Sequence, residues 1–224
     1  MPIRISPSIL SADFANFQSE LDTISSADMI HVDVMDNHFV PNLTFGLPVV
    51  ARLQQVTPKP LDVHLMIEDA DYWAPKYAET GAFSITFHAE ASKDPVALAK
   101  QLRKFGARAG IAIKPNTPAE PFLELLKHFD QILIMTVEPG FGGQALIESC
   151  LNKVAATRSF IDEHKLDIWL QVDGGIDESN IERVAQAGAD TFVAGSAVFK
   201  SQDRDSQIAV LRAKAEQGFL NHRR

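Results

Sequence analysis

At 224 residues, 46% hydrophobic and 22% charged, the chain has a globular composition, which excludes wholesale disorder. Its formal charge of −8, from 21 Lys and Arg against 29 Asp and Glu, and the lack of a long basic run argue against a nucleic-acid or anionic-membrane surface. There is no apolar run long enough to span a membrane, no apolar signal segment over Met1–Pro7, and a single cysteine, Cys150, so a cytoplasmic protein without a disulfide framework is expected.

Eight short apolar, β-branched runs follow in chain order: Ile3–Leu10, Met29–Met35, Leu61–Ile67, Phe83–His88, Ala109–Lys114, Gln131–Thr136, Ile168–Asp173 and Thr191–Ala194. Each is continuous rather than alternating, as parallel strands covered on both faces are. Helical stripes lie between them. Phe14, Phe17, Leu21 and Ile24 form one, with Asp13 placed to cap it. Val96, Leu98, Ala99 and Leu102 form another, stopped by Gly106, and Ile181, Val184 and Ala185 a third, stopped by Gly188. No Gly/Ser or Pro-rich linker interrupts the pattern, so residues 1–224 are expected to form a single (β/α)8 barrel. A doubly wound open sheet is the rival, but the first strand is not followed by its G-x-G-x-x-G turn.

Chemistry in such a barrel gathers where strands end. Strand alternation puts His31, Asp33 and Met35 on one face and His64 and Met66 on another, and Asp173 closes the seventh run. If these faces point inward, two imidazoles and two carboxylates converge, a shell of the kind that binds Zn²⁺ or Fe²⁺. Hydrogen-bonded core histidines and a turn-capping Asp are the plainer reading. The combination favours the metal, because a buried Asp is costly unless paired or bound to a cation. Met35, Met66 and Met135 are either core filler or an apolar collar that limits water. Glycine turns at Gly140, Gly142 and Gly143, at Gly174 and Gly175, and at Gly195 follow three successive strands, where barrels often hold a phosphate through backbone N–H groups.

The sequence resembles the ribulose-phosphate 3-epimerases. The resemblance rests on Ser6–Asp13, His31–Asp36 continuing to His38–Asn42, Leu61–Met66, Phe87–Ala91, Val137–Gln144, Val172–Ile176, and Ala187–Asp190 through Gly195–Ala197, in family order over nearly the whole chain. It implies one divalent metal per subunit, Zn²⁺ or Fe²⁺ ahead of Mn²⁺ or Co²⁺, held by His31, Asp33, His64 and Asp173. It implies Asp33 and Asp173 as the acid–base pair for D-ribulose 5-phosphate and D-xylulose 5-phosphate, a reaction of the pentose phosphate pathway. It also implies substrate contacts at Ser8, His64, Gly140, Phe141, Gly142, Gly143, Asp173, Gly174, Gly175, Gly195 and Ser196, under a cap of Met35, Met66 and Met135. Members form homo-oligomers of several kinds.

Two positions depart from the family: Asn37 stands where glycine is usual, and Lys114 where asparagine is common. Asn tolerates left-handed backbone, so the turn is expected to survive. An epimerase of a longer sugar phosphate, such as D-allulose 6-phosphate, is the alternative function. Barrel decarboxylases and aldolases are disfavoured because no lysine accompanies Asp33, and a non-catalytic barrel would have no use for four converging ligands.

Overall fold

A computed structural model describes residues 2–222. In chain order its elements are β1 (Arg4–Ser6), α1 (Phe17–Asp22), β2 (Ile30–Met35), α2 (Leu47–Val56), β3 (Leu61–Met66), α3 (Ala70–Ala78), β4 (Ser84–His88), α4 (Pro95–Lys104), β5 (Arg108–Ile113), α5 (Glu120–Leu123), β6 (Gln131–Met135), α6 (Cys150–Glu163), β7 (Trp169–Asp173), α7 (Ile181–Gln186), β8 (Thr191–Val193), α8 (Ser196–Phe199) and α9 (Arg204–His222). The strands form one parallel sheet in the order β1-β8-β7-β6-β5-β4-β3-β2. A parallel bridge between Ser8 and His31, with the His31 N–H donating to the Pro7 carbonyl at 3.0 Å, joins β1 to β2 and brings the ring round on itself. This is the (β/α)8 barrel that the apolar runs predict.

Strands β2, β3, β4 and β6 are buried along their whole length, which is why their runs do not alternate. Helices pack outside through the expected stripes: Leu98, Ala99 and Leu102 of α4, and Ile181, Val184 and Ala185 of α7, are buried. Three local expectations are corrected or refined. The first strand stops at Ser6 rather than Leu10, because Pro7 offers no N–H and the Ser8 hydroxyl accepts from the Leu10 N–H at 3.2 Å, starting a 3₁₀ turn over Ile9–Ser11. Asp13 caps a 3₁₀ turn over Phe14–Asn16, not α1 itself, and Phe14 leaves the core at 48% exposure, packing on Phe45 with ring centroids 4.9 Å apart. Asn37 does take left-handed backbone, with φ 59°.

Two sets of side chains fill the lower barrel. At the N-terminal ends of the strands the guanidinium groups of Arg4 and Arg108 lie over the Trp169 ring, 3.8 and 3.7 Å from its centroid. Above them is a buried polar layer. The Gln131 amide donates to Gln171 Oε1 at 2.6 Å and Thr86 Oγ1 at 3.0 Å, and the Gln171 amide donates to Asp62 Oδ2 at 2.6 Å. Gly110 on β5 leaves the space that Thr86 occupies; a Cβ there would overlap the threonine hydroxyl.

Candidate active site

The register of β2 against β3 builds the site in tiers. His31 pairs with Asp62, Asp33 with His64, and Met35 with Met66, while β6 sets Met135 beside Asp173 of β7. Asp62 belongs to the polar layer below. Its Oδ2 accepts from His31 Nδ1 at 2.8 Å, so the His31 proton is held there and Nε2 is aimed upward. Nε2 is buried without a hydrogen-bond partner among the described residues, 3.3 Å from Asp33 Oδ1 and 3.7 Å from Asp173 Oδ2. His64 Nδ1 faces the same two carboxylates, at 3.3 and 3.4 Å. One donor atom from each of His31, Asp33, His64 and Asp173 lies within 4.8 Å of the others.

The four imidazole–carboxylate distances suit a divalent ion. A tetrahedral centre with ligands at about 2.0–2.1 Å spaces neighbouring donors by roughly 3.3–3.4 Å. The donor set, two imidazoles and two carboxylates, suits Zn²⁺ and its first-row neighbours. Without the ion, protons hold the cluster together. Burial opposes charge on His31, but Asp33 and then Asp62 overcome it and push its pKa well above the ordinary 6.5. Burial likewise opposes charge on His64, and Asp173 and Asp33 raise it. Against its own burial, Asp33 is held far below the carboxylate range by His31 and His64. A cation would take over the place of these protons.

Above the cluster is a cleft lined by Ser8, Asp33, Asp173, the three methionines, and the turns at 140–143, 174–175 and 195–196. The structure thus brings together all the residues that the sequence singles out, with one distinction. His31 and His64 are fully buried and do not line the cleft. Asp173 is the most open of the four, with 14% of its side chain exposed. Ser8 donates to Asp33 Oδ2 at 2.5 Å. Gly174, with φ 122°, is required twice: by its backbone conformation, and because a Cβ would sit 2.5 Å from Val137 Cγ2. The Thr136 hydroxyl donates to the Gly174 carbonyl at 2.6 Å and steadies that turn. Met35 and Met66 cluster with Val40, while Met135 packs with Ala112, Leu133 and Val137 on the other side of the mouth.

Several working residues escape sequence reasoning. Asp62 shares the face of His64 and Met66 by simple alternation, and that parity was the available signal. His88 is fully buried, with Nε2 3.0 Å from His64 Nε2 and Nδ1 3.2 Å from Glu90 Oε2. Burial lowers its pKa to about 4 despite Glu90, so the ring is neutral. Asn42 donates to the Gly140 carbonyl at 2.8 Å, tying two mouth loops together, and Thr44 Oγ1 donates to the Asp33 carbonyl at 2.6 Å. Lys114 sits with its ammonium 3.8 Å from the centroid of the Phe39 ring.

An eight-stranded parallel barrel with converging imidazoles and carboxylates and glycine turns at the C-terminal ends of its strands is the architecture of a barrel enzyme. A family model described as the ribulose-phosphate 3 epimerase family matches residues 4–199. Ribulose-phosphate 3-epimerase from Mycobacterium tuberculosis (strain H37Rv) is 54% identical, over 97% of this chain and 95% of that one. The Bacillus subtilis (strain 168) enzyme of the same name is 42% identical, over 94% and 98%. The chain belongs to the ribulose-phosphate 3-epimerase family and is an epimerase. Among solved structures, 3-hexulose-6-phosphate synthase from Salmonella typhimurium shares the fold at low identity. It superposes with a TM-score of 0.70 at 14% identity, covering 96% of this chain and 100% of that one.

Proposed function

We propose that the chain, acting as one catalytic domain, interconverts D-ribulose 5-phosphate and D-xylulose 5-phosphate by moving a proton at C3. The observation that carries this reading is the convergence of Asp33 and Asp173 on one pair of imidazoles while both carboxylates line the same cleft. Inversion beside a ketone needs a proton taken from one face and returned to the other, and two carboxylates supply both roles. Asp33 is kept ionised by its imidazole partners, and its Oδ2 is oriented by Ser8. A carboxylate with an ordinary pKa of about 4 is a weak base for a carbon acid. A divalent ion held by His31, Asp33, His64 and Asp173 would supply the missing electrostatic stabilisation of the enediolate. Met35, Met66 and Met135 keep water from the reacting carbon. The turns at 140–143, 174–175 and 195–196 offer N–H groups to the phosphate, which fixes which carbon faces the carboxylates.

Exposed Leu43 and Trp73 share one groove, which supports a homo-oligomer; light scattering on the purified chain checks this. The substrate reading is tested by comparing kcat/KM for D-ribulose 5-phosphate and D-allulose 6-phosphate in metal-replete protein. The pentose phosphate is expected to be preferred; preference for the longer sugar would overturn the substrate assignment.

A further inference from the structure

His64 is held in the cluster by a chain of side chains that continues away from the cleft. The rings of His64 and His88 lie 24° from parallel, with centroids 5.1 Å apart and their Nε2 atoms 3.0 Å apart. A 3.0 Å contact between two ring nitrogens requires one proton between them. If His64 Nδ1 is a ligand, it carries a lone pair, and the His64 proton is on Nε2 and donated to His88. His88 then keeps its own proton on Nδ1, and Glu90 Oε2 stands 3.2 Å away to accept it. The other Glu90 oxygen accepts from the Lys114 N–H at 2.9 Å and from the Thr117 hydroxyl. That loop is itself clamped, since Lys153 Nζ donates to the carbonyls of Lys114 at 3.0 Å and Pro115 at 2.9 Å. One proton arrangement satisfies every link.

We propose that His88 and Glu90 are positioning residues that fix the tautomer and orientation of His64 and thereby set the metal affinity of the site. The inference rests on the reading of His31, Asp33, His64 and Asp173 as metal ligands. It gives the two imidazole ligands different supports. His31 leans on the carboxylate of Asp62 inside the barrel, and His64 on a neutral imidazole anchored to a loop at the mouth. Outer partners of this kind commonly change metal affinity by about 10–100-fold when removed.

The test uses the full-length chain, stripped of metal and titrated with Zn²⁺ against a competing chelator, with Co²⁺ absorption as a second readout. His88→Leu, which leaves the His64 N–H without an acceptor, is expected to weaken Zn²⁺ binding about 10–100-fold and to alter the Co²⁺ spectrum. His88→Gln, which restores an acceptor oxygen, is expected to recover much of the loss, and Glu90→Leu to fall between. Zn²⁺ affinity and Co²⁺ spectrum unchanged in His88→Leu and Glu90→Leu would overturn the proposal, even if the metal-free variants melt earlier. Should His88→Leu fail to fold, Glu90→Leu, whose native side chain is 24% exposed, decides alone by the same criterion. His64→Ala separates the two levels. If wild type binds no Zn²⁺, or His64→Ala binds it as wild type does, the ligand reading itself fails.

Discussion

Two polar clusters stack inside the barrel, and their charges are balanced differently. In the lower one, Asp62 Oδ2 receives His31 Nδ1 and the Gln171 amide, Gln131 ties Gln171 to Thr86, and one neutral acceptor, Gln131 Oε1, is left without a partner among the described residues. In the upper one, His31 Nε2 is buried without a hydrogen bond among the described residues, and two carboxylates and a second imidazole face the same point. Buried polar groups that bond one another specify and rigidify a core. Two buried carboxylates facing two imidazoles need positive charge among them, supplied by protons on the imidazoles or by a cation in their place. Similar residue types thus hold the scaffold in one layer and await chemistry in the next, and the layers can be told apart by substitution.

The largest separation should come from Asp173→Asn. Turnover should fall by about 10²–10⁴-fold, the scale of general acid–base contributions, while far-UV circular dichroism and cooperative melting persist. Retained full turnover would remove Asp173 from the mechanism. Asp62→Asn probes the junction. It keeps the shape but puts an amide where His31 needs a carboxylate, so Zn²⁺ affinity should drop about 10–100-fold in a chelator competition.

Gln131→Leu, confined to the lower layer, should instead cost about 1–3 kcal/mol of stability, from partners left unsatisfied, with kcat little changed. A denaturant titration beside an activity assay checks this. A loss of activity larger than the loss of stability would mean that the layers are not separable. The smallest effect is on pH dependence. In the metal-free chain, His31 and His64 have raised pKa values, so their contribution is complete below 6.5 and is lost as pH rises through those values. Asp33 and Asp62 are lowered, so theirs is present above 3.8 and lost on acidification. The rise in thermal midpoint on adding Zn²⁺ should therefore grow as pH increases beyond 6.5.

How far the sequence foretold this differs between the same two layers. The eight apolar runs became eight strands, and Gly106 and Gly188 follow their helices with positive φ, because these signals are local. His31, Asp33, His64 and Asp173 were legible because strand alternation and strand ends already place them. Asp62 was not, although it shares the parity of His64, because its role depends on Gln171, 109 residues away across the closed ring. His88 and Glu90 depended on β4 lying beside β3 and on the loop at 114–117, neither of which a single strand discloses. The early stop of β1 and the exposed Phe14 were local as well, but there the capping hydroxyl of Ser8 and the carboxylate of Asp13 won over the apolar pattern.

If the upper cluster moves a proton at C3 with the help of a cation, exchange and turnover depend on metal together. Metal-replete and chelated protein are incubated with D-ribulose 5-phosphate in D2O and followed by NMR. D-xylulose 5-phosphate deuterated at C3 is expected in the replete sample and neither product nor exchange in the chelated one, with activity restored by adding metal back. Equal exchange and turnover with and without metal, or product formed without solvent deuterium, would contradict it.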